Sequence, residues 1–194
     1  MKTAVLALHY QNEVLHPDGK IRLGVAEGAP GRDGVVEAAG RLLATARRRG
    51  IPVIHVRIAF PRGHVGVKQN APIFRNVVAS GAMEEGSWGA AFHDGLGPLN
   101  DEIVVTHNRV NAFFGSNLEQ ELAALGIERL ILGGVATNSV VEHTARHAAD
   151  MGYVIALAAD ACSAGQPHLH QAALDNIALL GEVSTVEALM GQQI

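Results

Sequence analysis

Leu130-Ile131-Leu132 runs directly into Gly133-Gly134, and apolar residues then recur at helical spacing through Val140, Val141, Thr144, Ala145, Ala148 and Ala149. A short apolar run without alternation reads as a strand buried on both faces. The glycine pair permits a tight turn and close approach of another backbone. Thr137 or Asn138 stands where a helix cap belongs. Strand, tight loop and helix start together predict a layered α/β structure, and in such sheets ligands bind at the carboxyl ends of the strands. The helix start gathers free N–H groups able to hold an anion or a developing oxyanion.

The same alternation fills most of the chain. Residues 3–8, TAVLAL, read as a buried strand ending in the polar cluster His9-Tyr10-Gln11-Asn12. Asp33 is placed to cap a helix over 35–49, which Gly50 stops. Further strands are predicted at 51–56, 102–106, 129–132 and 153–158, and a short sixth within 183–189 that ends in a helical turn. Helices are predicted at 116–125, closed by Gly126, and at 168–180, opened by Pro167. The implied fold class is α/β: three α/β/α layers around a central, mostly parallel six-stranded sheet of Rossmann-like topology, in one domain over residues 1–194. Residues 59–100 are broken by Gly and Pro and read as irregular, a lid or pocket wall that holds the sole tryptophan, Trp88.

Composition narrows the function. A net charge of −4, with Arg47-Arg48-Arg49 at a predicted helix end as the largest basic cluster, argues against a nucleic-acid partner. The apolar run near the N-terminus is too short for a signal peptide or a bilayer span, so a cytoplasmic protein without a membrane partner is expected. A single cysteine, Cys162, allows neither an internal disulfide nor a cysteine zinc cage. The glycine-rich loop at 24–34 lacks the strand–GxGxxG–helix context, no phosphate-loop pattern occurs, and no cofactor is expected. Ten histidines point to imidazole chemistry.

Several segments together resemble the isochorismatase-like cysteine hydrolase superfamily, which includes isochorismatases, nicotinamidases and N-carbamoylsarcosine amidohydrolases. AVLALHYQNEV resembles its first strand and the motif after it. GSWGAAFHDGLGPLNDEIVVTHNRVNAFFGSNLEQEL resembles the segment through its lysine. LILGGVATNSVVEHTARHAADMGY resembles its GVATN loop and nucleophile helix, and DACSA and HLHQAALDNI resemble the family's segments downstream of that helix. The resemblance implies an Asp–Lys–Cys trio in which a thiolate attacks an amide carbonyl, with backbone N–H groups of the GVAT loop, shaped by a cis non-proline peptide, stabilising the oxyanion.

Carried over residue by residue, His9 stands in place of the Asp, His107 in place of the Lys, and Val140 at the nucleophile position, while the loop of Val135, Ala136 and Thr137 is kept, as is Gln11. Ser139 lies about 100° around the helix from Val140, and Cys162, after the fifth predicted strand, reads as core packing. The ordinary cysteine mechanism is therefore not expected. His9 and His107 are the candidate catalytic pair, with His9 as proton donor; general acid–base catalysis contributes typically ~10²–10⁴-fold. Gln11, Trp88, Phe113 and Phe114 are candidate pocket residues, with Phe113 and Phe114 alternatively in the core. Arg75 and Arg109 either hold a substrate carboxylate or form surface ion pairs. His55 is expected in the core or at a subunit contact, His143 and His147 on a solvated or interface-facing helix side despite their ligand-like spacing, and His168 and His170 at the start of the last predicted helix, where polar residues are ordinary. No metal site is identified. Three readings stay open: a hydrolase of a small amide or enol-ether-like molecule without a cysteine nucleophile, a catalytically silent homologue that binds a small ligand or partner, and a metal-using variant. The resemblance also implies a homo-oligomer, a dimer or tetramer.

Overall fold

The computed structural model describes residues 1–24 and 34–191. Asp33 and most of the glycine-rich loop lie outside the described residues. The elements, in order, are β1 (Thr3–Leu8), a one-turn helix α1 (Asn12–Leu15), α2 (Val35–Arg48), β2 (Val53–Ile58), α3 (Pro72–Ser80), β3 (Ile103–His107), α4 (Leu118–Leu125), β4 (Arg129–Val135), α5 (Glu142–Asp150), β5 (Val154–Ser163), α6 (Pro167–Ala178), β6 (Gly181–Ser184) and α7 (Val186–Gly191). The strands form one six-stranded sheet in the order β3-β2-β1-β4-β5-β6, with every neighbouring pair parallel.

Alternation along the strands divides the core into two. Val5, Ala7, Val53, Ile131, Ala156 and Ala158 point to the side covered by α2 and α7, together with Leu42, Leu43 and Leu189. Leu6, Leu8, Ile54, Val56, Leu130, Leu132 and Leu157 point to the side covered by α4, α5 and α6, where Leu118, Leu122, Ala145, Ala148 and Ile177 receive them. The two-sided burial explains the uninterrupted apolar runs. Each fully buried leucine contributes roughly 2 kcal/mol by area removed from water.

Three local expectations change. Gly133 and Gly134 belong to β4 rather than to a turn. What requires them is close approach: a Cβ at Gly134 would stand 2.4 Å from the Leu8 carbonyl oxygen, and one at Gly133 would stand 2.5 Å from the Tyr10 hydroxyl. The fifth strand runs on through Ser163, so Cys162 lies within β5, in register with Gly134. Within the stretch read as irregular, Pro72 opens a helix whose Phe74 and Val77 are buried and which ends at Gly81 in the left-handed region, φ 62°. No helix among the described residues is long and apolar enough to cross a membrane.

Candidate functional site

Leu8 of β1 pairs with Gly134 of β4, and Ile58 of β2 pairs with His107 of β3, so His9, His107 and the loop after β4 all sit at the carboxyl edge of the sheet. β2 separates β1 from β3, and two strand spacings amount to about 10 Å. The chain closes this gap at His9, which turns sharply in the left-handed region, φ 57°, with its N–H donated to the Val56 carbonyl and its own carbonyl accepting from Gln11 N–H. A non-glycine residue held there costs of order 1–3 kcal/mol and is characteristic of functional sites. The outcome is that Nε2 of His9 lies 2.6 Å from Nε2 of His107, with the rings stacked at 4.9 Å between centroids.

Hydrogen bonding assigns the tautomers. Nδ1 of His107 is 3.1 Å from the Asn111 carbonyl oxygen, an acceptor only, so His107 carries its proton on Nδ1. Its Nε2 lone pair then accepts the Nε2–H of His9, and His9 keeps a lone pair on Nδ1. Both rings are buried. Burial, and secondarily the nearby His107, hold the His9 pKa well below the ordinary value. Burial brings His107 down to about 4, against the Asn111 carbonyl, which favours the charged form. At neutral pH the pair is uncharged, with one proton between two facing nitrogens. A neutral imidazole with a free lone pair can take up a proton.

Beyond β4 the chain passes through a cis peptide between Val135 and Ala136 and enters a widened helical turn, Thr137–Val141, that leads into α5. The amides of Ser139 and Val141 both turn onto the Ala136 carbonyl. Thr137 and Asn138 open this turn, and neither side chain caps it. The Thr137 hydroxyl, fully buried, shares a 2.8 Å hydrogen bond with Nδ1 of His170, in the first turn of α6. Burial lowers the His170 pKa. The expected place of His168 and His170 at the start of this helix holds, but residue type and position there give His170 no partner, and the contact with Thr137 is set by the fold. Val140 is buried in the core cluster that also holds Leu8, Leu132 and Phe113.

The remaining candidates divide. Gln11 is fully buried and its amide is committed to backbone: Nε2 donates to the carbonyls of Ile58 and Ala90, and Oε1 accepts from Ile58 N–H. It ties β1 to β2 and to the Trp88 segment rather than presenting a polar group to a ligand. Trp88 is 52% exposed with its ring edge-on to His16. Phe113 packs in the core and Phe114 is 65% exposed, and both line a cavity with Phe74, Arg109, His143 and His147. Arg75 bonds the Gln69 carbonyl. His55 is fully buried and donates Nε2–H to Glu102, which Arg47 also grips. The thiol of Cys162 is buried, and burial chiefly pushes it up to about 12. Among the described residues, no three His, Cys, Asp or Glu side chains are grouped to hold a metal ion.

Residues 3–188 match the sequence family described as the isochorismatase domain. The ureidoacrylate amidohydrolase RutB of Methylobacterium radiotolerans is 33% identical over 201 residues, 96% of this chain and 77% of that protein. The isochorismatase family protein YecD of Escherichia coli O157:H7 is 33% identical over 172 residues, 87% of this chain and 88% of that one. Among solved structures, an isochorismatase family protein from Desulfovibrio vulgaris superposes with a TM-score of 0.86 at 25% identity, covering 97% of this chain and 96% of its own. The N-carbamoylsarcosine amidase of Thermoplasma acidophilum does so with a TM-score of 0.77 at 25% identity, covering 96% and 98%.

Proposed function

The chain belongs to the isochorismatase family, and from that premise we propose that it hydrolyses a small amide by non-covalent acid–base chemistry at His9 and His107, the family's Asp–Lys–Cys trio being replaced. The observation that carries this reading is the neutral, hydrogen-bonded imidazole pair at the sheet edge that also holds the loop of Val135, Ala136 and Thr137.

In this reading the pair works as a base. Water attacks the amide carbonyl as its proton passes to Nδ1 of His9, and the Nε2–H of His9 is free to shift toward His107, which spreads the charge. The developing oxyanion is met by backbone N–H groups of the Val135–Thr137 loop. Collapse breaks the C–N bond, the proton returns to the departing nitrogen, and the products are a carboxylic acid and an amine. The activities that two relatives are named for, a ureidoacrylate amidohydrolase and an N-carbamoylsarcosine amidase, support an amide or ureide as the substrate class. Burial supports the amide over an enol ether. Cleaving an enol ether begins with protonation of carbon by a charged or carboxylic acid, and both imidazoles are held neutral. The same proposal takes the enzyme as a cytoplasmic homo-oligomer.

A second reading, a catalytically silent homologue that binds a small ligand, is supported by Val140: the residue that the resemblance puts at the nucleophile position is buried in the core. Assay of a panel of small amides and ureides separates the two. The proposal expects turnover that survives thiol alkylation and falls roughly 10²-fold or more in His9→Gln. Ligand binding without turnover of any panel member would leave the silent homologue.

A further inference from the structure

Beside the histidine pair, and not including it, lies a cavity of about 550 Å³, within the ordinary size range of small-molecule sites. Asn111, whose carbonyl accepts from His107, is on its wall. Phe74, Phe113 and Phe114 supply flat apolar surface; Arg109, His143 and His147 supply N–H donors; none of the described residues lining it is acidic.

Arg109 is set rather than loose. Its guanidinium carbon lies 3.5 Å from the centroid of the Phe74 ring, one Nη donates to the Lys68 carbonyl, and the other donates to Asn70 Oδ1. Two of five N–H donors are used, and the planar group keeps three. The His147 ring lies over Phe113 at 4.9 Å. An exposed phenylalanine, Phe114, completes the rim. A cation fixed on one aromatic ring, with further aromatic surface beside it, matches a flat anion whose charge is at one end.

We propose that this cavity binds a planar carboxylate, with Arg109 holding the carboxylate and Phe113 and Phe114 contacting the conjugated face. The site requires no turnover and stands whether or not the histidine pair is catalytic.

The test is calorimetric titration of the purified protein with benzoate, and with benzamide as the neutral isostere, alongside backbone amide NMR shifts at Phe113, Phe114 and Gly115. Benzoate is expected to bind with shifts at those amides, benzamide at least about tenfold more weakly, and Arg109→Gln is expected to lower benzoate affinity by a similar factor. Phe114→Ala, at a position 65% exposed, is expected to weaken benzoate several-fold. His9→Gln is expected to leave binding unchanged, which separates this site from the one proposed for chemistry. No binding to the wild type at about 20 mM benzoate, equal binding of benzamide, or unchanged affinity in Arg109→Gln would each overturn the assignment.

Discussion

His9 follows β1 and His107 ends β3, strands that are not neighbours, yet their Nε2 atoms meet at 2.6 Å, and the Asn111 carbonyl on the far side of His107 decides which nitrogen carries the proton. The expected state is a neutral pair with His107 protonated at Nδ1. Nitrogen-15 NMR of the imidazoles should show the Nδ1–H tautomer for His107 at pH 7 and its titration at about 4. If the pair acts as a base, turnover should persist below pH 6.5, the ordinary histidine value, and be lost in acid only as the lowered His9 and His107 pKa values are crossed. A rate that instead rises with acidification would assign the pair an acid role and overturn the base mechanism.

The same shifts fix the sign of a stability effect. A histidine whose folded pKa is depressed contributes stability that is fully present above its unfolded value near 6.5 and is lost as pH falls toward the folded value, because the unfolded chain takes the proton first. For His107 the window runs from about 6.5 to about 4 and is worth about 3 kcal/mol. His9, His55 and His170, each lowered chiefly by burial, act in the same direction. Glu102 adds a later loss. Burial alone would raise it, but hydrogen bonds from Arg47, Leu99 N–H and His55 hold it at about 2, so its contribution disappears between about 4.5 and 2. Urea unfolding at pH 7, 5 and 4 should show a stepwise loss, smaller in His107→Gln. A stability independent of pH over that range would contradict the buried neutral pair.

Which of these features the sequence discloses depends on how local their cause is. Two-sided burial imposes continuous apolar runs, so the strands, their order of alternation with helices and the carboxyl-edge location of His9 and His107 are legible. The helix at Pro72–Ser80 is not, because Gly and Pro punctuate the surrounding stretch and only Phe74 and Val77 of its apolar face are buried. Thr137 reads as a cap by residue type, yet its hydroxyl goes to His170, 33 positions away. Gln11 reads as a polar group at a ligand-binding edge, but the backbone groups that claim it belong to Ile58 and Ala90. For Trp88 nothing local separates a pocket wall from an exposed ring against His16. Such partners are set by tertiary contact, and spacing along the chain carries no trace of them.

The thiol of Cys162 should be inert in the folded protein. It is buried within β5, and with its pKa pushed up to about 12 the thiolate is negligible at pH 8. Titration with a thiol reagent at pH 8 should therefore label nothing in the native state and one site per chain after unfolding. Rapid native labelling, with parallel loss of turnover, would return Cys162 to the chemistry.

Gly134 is where the fold and the candidate site depend on the same atom's absence. It pairs with Leu8 on one side and Cys162 on the other, one residue before the cis peptide that shapes the loop. A methyl group there would sit 2.4 Å from the Leu8 carbonyl oxygen and 2.5 Å from Leu8 Cβ, and the first of these is backbone in a central strand with no free end to swing aside. Either β1 and β4 part, which breaks the ladder that aligns His9 with the loop, or β4 shifts and carries Val135 with it. Gly134→Ala is expected to cost about 3 kcal/mol, at the upper end of overpacking effects, with an activity loss larger than the remaining folded fraction explains. Gly191→Ala, where an added Cβ meets nothing within 4 Å, is the control that should leave both unchanged. Melting curves and rates measured on the two variants together decide it: a Gly134→Ala protein as stable and active as the control would show that β1 and β4 tolerate separation at the site.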